Sequence, residues 1–171
     1  MTSKITSPSI FALSESQVRH LANINNPIKM GFFLFYKLPA AWFMGVRLKK
    51  ADTERCEVTL PYFWGSQNPF KSIYFAAQAA AAELSTGALG ILAIEGRGKI
   101  SMLVSHIEMD FTKKAISKTT FTCEQGAEVF EVVERAIQTK EPQTITMVSH
   151  GVQATGELVS ITKVTWSFKA K

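Results

Sequence analysis

The chain has little cysteine, two residues in 171. Two thiols cannot build a disulfide framework, and Cys56 and Cys123 lack the spacing of a metal-ligand pair. Reduced thiols in a cytoplasmic compartment are the expectation. Histidine is also sparse: His20, His106 and His150 are too scattered for a local zinc motif. No metal and no cofactor is expected. Dense charge of one sign is missing as well. With 19 Lys+Arg against 14 Asp+Glu, the net charge is +5. No block of five like charges occurs, so the basic stripe of a nucleic-acid surface is not present. The most apolar stretch, Ile28 to Val46, is broken by Lys29, Lys37 and Pro39. That is no membrane-spanning helix, which needs ~20 predominantly apolar residues. The first dozen residues lack the apolar region of a signal peptide.

What is present suits one folded domain. Hydrophobic residues make up 46% and charged residues 19% of the chain, ample for a core. Ser14, with Glu15 and Gln17 close behind, predicts a helix over Glu15 to Ile24 that ends at Asn25-Asn26-Pro27. A second helix is predicted from about Ile28 to Phe35, stopping before Pro39, with a further turn over Ala40 to Gly45. Strands are predicted at Val46 to Ala51 and Arg55 to Leu60, around the turn Asp52-Thr53-Glu54. In the second of these, Cys56, Val58 and Leu60 share a face. An aromatic loop, Pro61 to Pro69, follows. The second half reads as a meander. Lys99 to Phe111 alternates, with Leu103, Ile107, Met109 and Phe111 on one face and His106, Glu108 and Asp110 on the other. Ser117 to Glu124 is a strand, Glu128 to Gln138 fits a short helix or a strand, and Gln143 to Gln153 with Glu157 to Lys169 forms a hairpin. Leu158, Val164, Trp166 and Phe168 share a face of its last strand.

The strongest helix signal is Ser72 to Ile94. Six alanines lie between Ala76 and Ala82, and alanine has the highest intrinsic helix propensity. Gly87 and Gly90 weaken its final turns. A helix this apolar all round is buried, and a sheet wrapped around it is the natural way to bury both. Glu83 lies in the middle of it, as the only acid between Glu57 and Glu95. A desolvated carboxylate has a raised pKa, so it is either paired or used. Gln67 and Asn68 lie in the loop that feeds the helix N-terminus, where free N–H groups can hold an oxyanion. Turn chemistry alone also accounts for Asn68-Pro69. Lys113 and Lys114 suit either a solvated turn or a ligand bearing phosphates. Gly96-Arg97-Gly98-Lys99 lacks the full phosphate-loop spacing and reads as a tight turn.

The segment from Asn68 through Tyr74, Phe75 and Ala76 to Glu83 resembles the signature of hotdog-fold acyl-CoA thioesterases of the phenylacetyl-CoA and 4-hydroxybenzoyl-CoA type. That signature has an Asn, then His-Gly-Gly at the helix start, then an Asp or Glu within the helix. Asn68 falls on the Asn, Tyr74 on the His, Phe75 and Ala76 on the glycines, and Glu83 on the acid. Gly156-Glu157-Leu158-Val159 is similar to the family's Gly-x-Leu-Val-Ala ending. The resemblance spans about Val46 to Lys169 and is closest to a branch known only as a domain of unknown function.

It implies an α+β hotdog fold, an antiparallel sheet around a long central helix. Residues 1–45 would form an N-terminal helical extension and 46–171 the hotdog domain. The resemblance further implies Glu83 as general base or nucleophile and Asn68 as a water-holding group. The backbone at Phe75 and Ala76 would receive the oxyanion, with Tyr74, Gln67, Lys113 and Lys114 contacting substrate. The implied ligand is acyl-CoA or another acyl thioester, and the implied assembly is a homodimer or dimer of dimers. Two alternatives stay open, one from the replacement of His-Gly-Gly and one from the apolar N-terminal segment. One is a non-catalytic module that binds acyl groups or CoA. The other is a structural dimer held at a membrane through Ile28 to Val46, although membrane contact is not the expected partnership.

Overall fold

Ser14 opens the first helix, α1 (Glu15–Ile24), through a capping box: its Oγ accepts from the Gln17 amide at 3.3 Å, and Gln17 Oε1 accepts from the Ser14 amide at 3.0 Å. Gln17 is buried and also donates to the Leu92 carbonyl at 3.1 Å, which ties α1 to a helix 75 residues downstream. The computed structural model describes residues 12–171, so the reading of a missing signal peptide lies, up to residue 11, outside the described residues. Helix α2 (Pro27–Lys37) starts one residue before its predicted start, because Asn26 caps the amides of Ile28 and Lys29 and Pro27 suits the first position. It ends at Leu38, and Pro39 begins the short α3 (Pro39–Phe43). Only Met30 and Leu34 of α2 reach the core.

Strands β1 (Arg47–Ala51) and β2 (Cys56–Leu60) are antiparallel. Asp52 Oδ1 closes their turn by accepting from Glu54 and Arg55. Next comes α4 (Phe75–Ile94), then β3 (Ile100–Phe111), β4 (Thr119–Cys123), α5 (Gly126–Thr139), β5 (Gln143–Gln153) and β6 (Leu158–Ala170). The six strands form one antiparallel sheet in the order β1-β2-β4-β5-β6-β3, leaving β1 and β3 at the edges. This is the hotdog arrangement, with α4 packed against the sheet. Segment 128–138 is helical because Val129, Val132, Val133 and Ala136 bury one face at helical spacing against α4, β5 and β6.

Glycine does not weaken the end of α4, as its propensity predicts; the helix runs through to Ile94. Gly87 and Gly90 are buried against Trp166 and Phe168 of β6 and Met102 of β3. A Cβ on Gly90 would lie 3.2 Å from Phe168 Cζ and 2.5 Å from Met102 Cε, so a larger residue would have to displace the Met102 side chain and crowd Phe168. Among the described residues α4 is the one helix long and apolar enough to cross a membrane by length and composition, and most of it is buried inside the protein.

The strict alternation predicted for β3 fails at one point. The pairing with β6 shifts between Val104 and His106, which leaves Ser105 as an extra residue. A bulge of this kind inverts the alternation beyond it. Leu103, opposite Ser167, therefore lies on the other face from Ile107, opposite Val164. Met102, Val104 and Met109 pack against the core, while Leu103 is exposed.

Candidate functional site

The loop between β2 and α4 is shaped by Asn68. Its Oδ1 accepts from the amides of Phe70 (3.0 Å) and Ser72 (3.2 Å). Its Nδ2 lies 3.0 Å from Ser72 Oγ and 3.5 Å from the Ile73 carbonyl. Its own amide donates to the Ser72 carbonyl, and Lys71 sits in the left-handed region at φ 58° to complete the turn. Asparagine suits such a turn because its short amide can bond the backbone two residues on. Both ends of the Asn68 amide are thus engaged within its own loop. Ile73 then donates to the Ala115 carbonyl and Tyr74 to the Ser66 carbonyl, which fixes the entry into α4.

Tyr74 is the N-cap of α4 and makes no side-chain cap. The first amides of a helix have no intrahelical acceptor, so those of Phe75 and Ala76 form an uncapped, partially positive terminus. The Tyr74 and Phe75 rings meet edge to face at 4.8 Å, and both are exposed.

A cavity of about 690 Å³ opens at this terminus. It brings together Gln67, Asn68, Tyr74 and Phe75 from the loop and helix start with Phe111, Lys113 and Lys114 from the end of β3. Six of the eight residues singled out in the sequence therefore line one space; Ala76 and Glu83 do not. The two lysines differ in their contacts. Lys113 pairs with Glu157 at 2.6 Å, and Lys114 donates to the Phe70 carbonyl at 3.4 Å. The Lys113 ammonium holds the Glu157 carboxyl below the usual carboxylate range.

Gln78 is a lining residue that the sequence reading missed. It is only 4% exposed; its Nε2 donates to the Ile73 carbonyl, while its Oε1 has no protein partner among the described residues. The signal was present in the sequence, because Gln78 is the one polar residue interrupting the alanine run.

Glu83 stands eight residues along the helix from Phe75, about 12 Å at 1.5 Å per residue. It shares a partly exposed face of α4 with Ala76, Ala79 and Ala80. Its carboxylate lies beside Gly87 and the Trp166 ring: a Cβ on Gly87 would be 3.4 Å from Glu83 Oε1 and 3.1 Å from Trp166 Cζ2. Burial raises the Glu83 pKa, and no cation among the described residues offsets it. Behind it, Trp166 Nε1 donates to Thr86 Oγ1 at 2.9 Å, and Thr86 donates to the Glu83 carbonyl at 2.9 Å. One chain therefore carries an uncapped helix terminus with a cavity, and separately a desolvated acid.

The thiols and histidines take no part in this space. Cys56 and Cys123 face each other across β2 and β4 in the core. Among the described residues no group of three or more His, Cys, Asp or Glu is gathered as a metal site would need.

Solved structures share this fold at low sequence identity. A Pseudomonas aeruginosa protein of unknown function, described as a probable thioesterase, superposes with a TM-score of 0.72 at 18% identity, covering 85% of this chain and 97% of its own. A Chlorobaculum tepidum protein of unknown function gives 0.71 at 13% identity, covering 88% and 99%. A Haemophilus influenzae thioesterase gives 0.64 at 15% identity, covering 84% and 90%. No curated protein matches the chain. The family described as Domain of unknown function (DUF4442) matches residues 30–167, and the chain belongs to that family, carried on the hotdog fold that these structures share.

Proposed function

We propose that the protein binds an acyl thioester in the cavity at the head of α4 and hydrolyses it with Glu83 as general base. The observation that carries this reading is the uncapped α4 terminus opening onto a 690 Å³ cavity rimmed by Lys113 and Lys114. Amides at a helix start stabilise charge that develops on a thioester carbonyl oxygen. The lysines suit the phosphates of coenzyme A. In the reaction, Glu83 takes a proton from water, and the water oxygen bonds to the thioester carbon. The oxyanion rests on the Phe75 and Ala76 amides. The C–S bond then breaks, the carbonyl re-forms, and the leaving thiolate takes the proton. A carboxylate whose pKa burial has raised is a better base than an exposed one. Asn68 acts as a positioning residue, holding the loop that precedes the terminus.

The site is shared between two copies in this proposal. β3 is a twelve-residue edge strand, and long edges call for cover. On its helix-facing side Ile107 and Phe111 are exposed. A second copy joined along β3 covers these side chains and brings the Glu83 face of one α4 towards the cavity of the other.

One observation favours a second reading, acyl binding without turnover: the Phe75 side chain adds bulk at the helix terminus, where the resembling thioesterases carry glycine. A panel of acyl-CoAs of graded length, with released thiol detected, separates the two. Turnover that falls ~100-fold or more in Glu83→Gln supports hydrolysis by Glu83, since loss of a general base costs ~10²–10⁴. Saturable binding without turnover supports the second reading. Equal turnover in both proteins refutes the role given to Glu83.

A further inference from the structure

The aromatic side chains that the core leaves out are gathered on one surface. Ile28, Phe32 and Tyr36 recur every four residues along α2, the spacing of a single helix face, and they point away from buried Met30 and Leu34. Phe32 is 61% and Tyr36 72% exposed. Ring contacts extend the surface. Phe35 meets Tyr36 and Trp42, each at 5.1 Å, and Phe43 of α3 meets Trp64 at 6.1 Å. Trp64 is 76% exposed. A groove of about 430 Å³ runs between α2 and Trp42, lined by Ile28, Phe32 and Phe35. Apolar surface collected in this way marks a contact site.

Its charge is one-sided. Residues 16–51 contain six Lys or Arg and no Asp or Glu; Lys49 and Lys50 pair with Glu57 and Asp52 on the β1–β2 hairpin, while Lys29, Lys37 and Arg47 on the aromatic side have no acidic partner among the described residues. Lys29 and Lys37 follow the exposed face of α2, and the Arg47 guanidinium stacks on Trp42 at 5.3 Å. Phenylalanine, tyrosine and tryptophan interleaved with lysine on an exposed helix face suit the boundary between lipid headgroups and acyl chains.

We propose that this face docks the protein on an anionic lipid surface, with the α2 and α3 aromatics and Trp64 in the headgroup layer. Lys29, Lys37 and Arg47 then meet the lipid phosphates. The surface is a poor match for a second copy, because a two-fold contact through it sets cations against cations. It also lies apart from the β3 edge. α2 packs on β1, the strand at the far end of the sheet, so pairing through β3 leaves it uncovered.

The test is flotation of the full chain with vesicles of phosphatidylcholine alone and with a third phosphatidylserine. Binding is expected on the serine vesicles, at least tenfold stronger than on phosphatidylcholine, and weaker in high salt. Lys29→Gln with Lys37→Gln lowers partitioning roughly 30-fold, at about 1 kcal/mol per basic residue. Phe32→Ser with Tyr36→Ser lowers it at least ~100-fold, from the apolar area lost. Both pairs are exposed, and an unchanged circular dichroism spectrum shows that the fold is kept. No flotation with serine vesicles overturns the proposal, as does equal flotation of the variants and the parent. Self-association that Phe32→Ser with Tyr36→Ser abolishes, without vesicle binding, assigns the face to a second copy and also overturns it.

Discussion

Replacing Thr86 by valine tests the hydrogen bond that holds the tryptophan beside Glu83. Trp166 is 5% exposed and Thr86 fully buried. The indole N–H donates to Thr86 Oγ1 at 2.9 Å. Valine has nearly the same shape but offers no acceptor, so a buried N–H is left without a partner, at about 1–3 kcal/mol. For a chain of this length each kcal/mol shifts Tm by ~2–4 °C, so a loss near 2 kcal/mol lowers Tm by ~4–8 °C. Thr86→Ser keeps the hydroxyl and removes only a methyl group, about 1 kcal/mol. The serine variant should therefore be the more stable of the two, although valine fills the space better. The assays are thermal unfolding, for Tm, and guanidinium unfolding, for the free energy, both followed by circular dichroism. A double-mutant cycle with Trp166→Phe isolates the bond, since phenylalanine has no N–H to strand. In that background Thr86→Val should cost less than ~0.5 kcal/mol. An equal cost in both backgrounds, or a valine variant as stable as the parent, refutes the reasoning.

Gly126 opens α5 where a Cβ would lie 2.1 Å from the Thr53 carbonyl oxygen; Gly126→Ala should destabilise by about 1–3 kcal/mol, and an unchanged unfolding midpoint would contradict the close approach. Burial raises the Glu83 pKa above its ordinary value. The native state then holds this proton more firmly than the unfolded chain, so stability falls as pH rises from the ordinary carboxyl range through the raised value. Glu83→Gln should remove that fall and gain stability relative to the parent at neutral pH; parallel stability profiles for the two proteins would argue against it. Both thiols are buried, with Cys123 pushed up to about 11 and Cys56 also raised. Disulfide reagents should label neither cysteine in the native protein and both after unfolding; rapid native labelling would show that the core between β2 and β4 opens.

Local chemistry was sufficient for many elements. Ser14 with Gln17, Asn26 before Pro27 and the alanine run each specify a helix through groups within a turn or two, and α1, α2 and α4 follow from them. The candidate site was legible to the same depth. The loop residues at the head of α4 gather because they are close in sequence, and Lys113 and Lys114 join them because β3 ends there.

Other features depended on partners far along the chain. Segment 128–138 fitted helix and strand alike, and it is a helix because α4, β5 and β6 take one helical face. The bulge at Ser105 follows from pairing with β6, so Leu103 changes face against its apparent alternation. Gly87 and Gly90 read as weak points in an isolated helix, where backbone entropy dominates, but in the fold they admit Trp166 and Phe168. Gln78 became a cavity residue only when α4 met the end of β3. The sequence alone determined the helices and strands outside 128–138 and that a lone acid would lie in an apolar helix, because those properties rest on nearest neighbours and side-chain polarity. Only the tertiary structure decided which apolar side chains would stay outside the core. The sheet has one α4-covered face and two edges, and the aromatics of α2, α3 and the β2–α4 loop exceed what that face can cover.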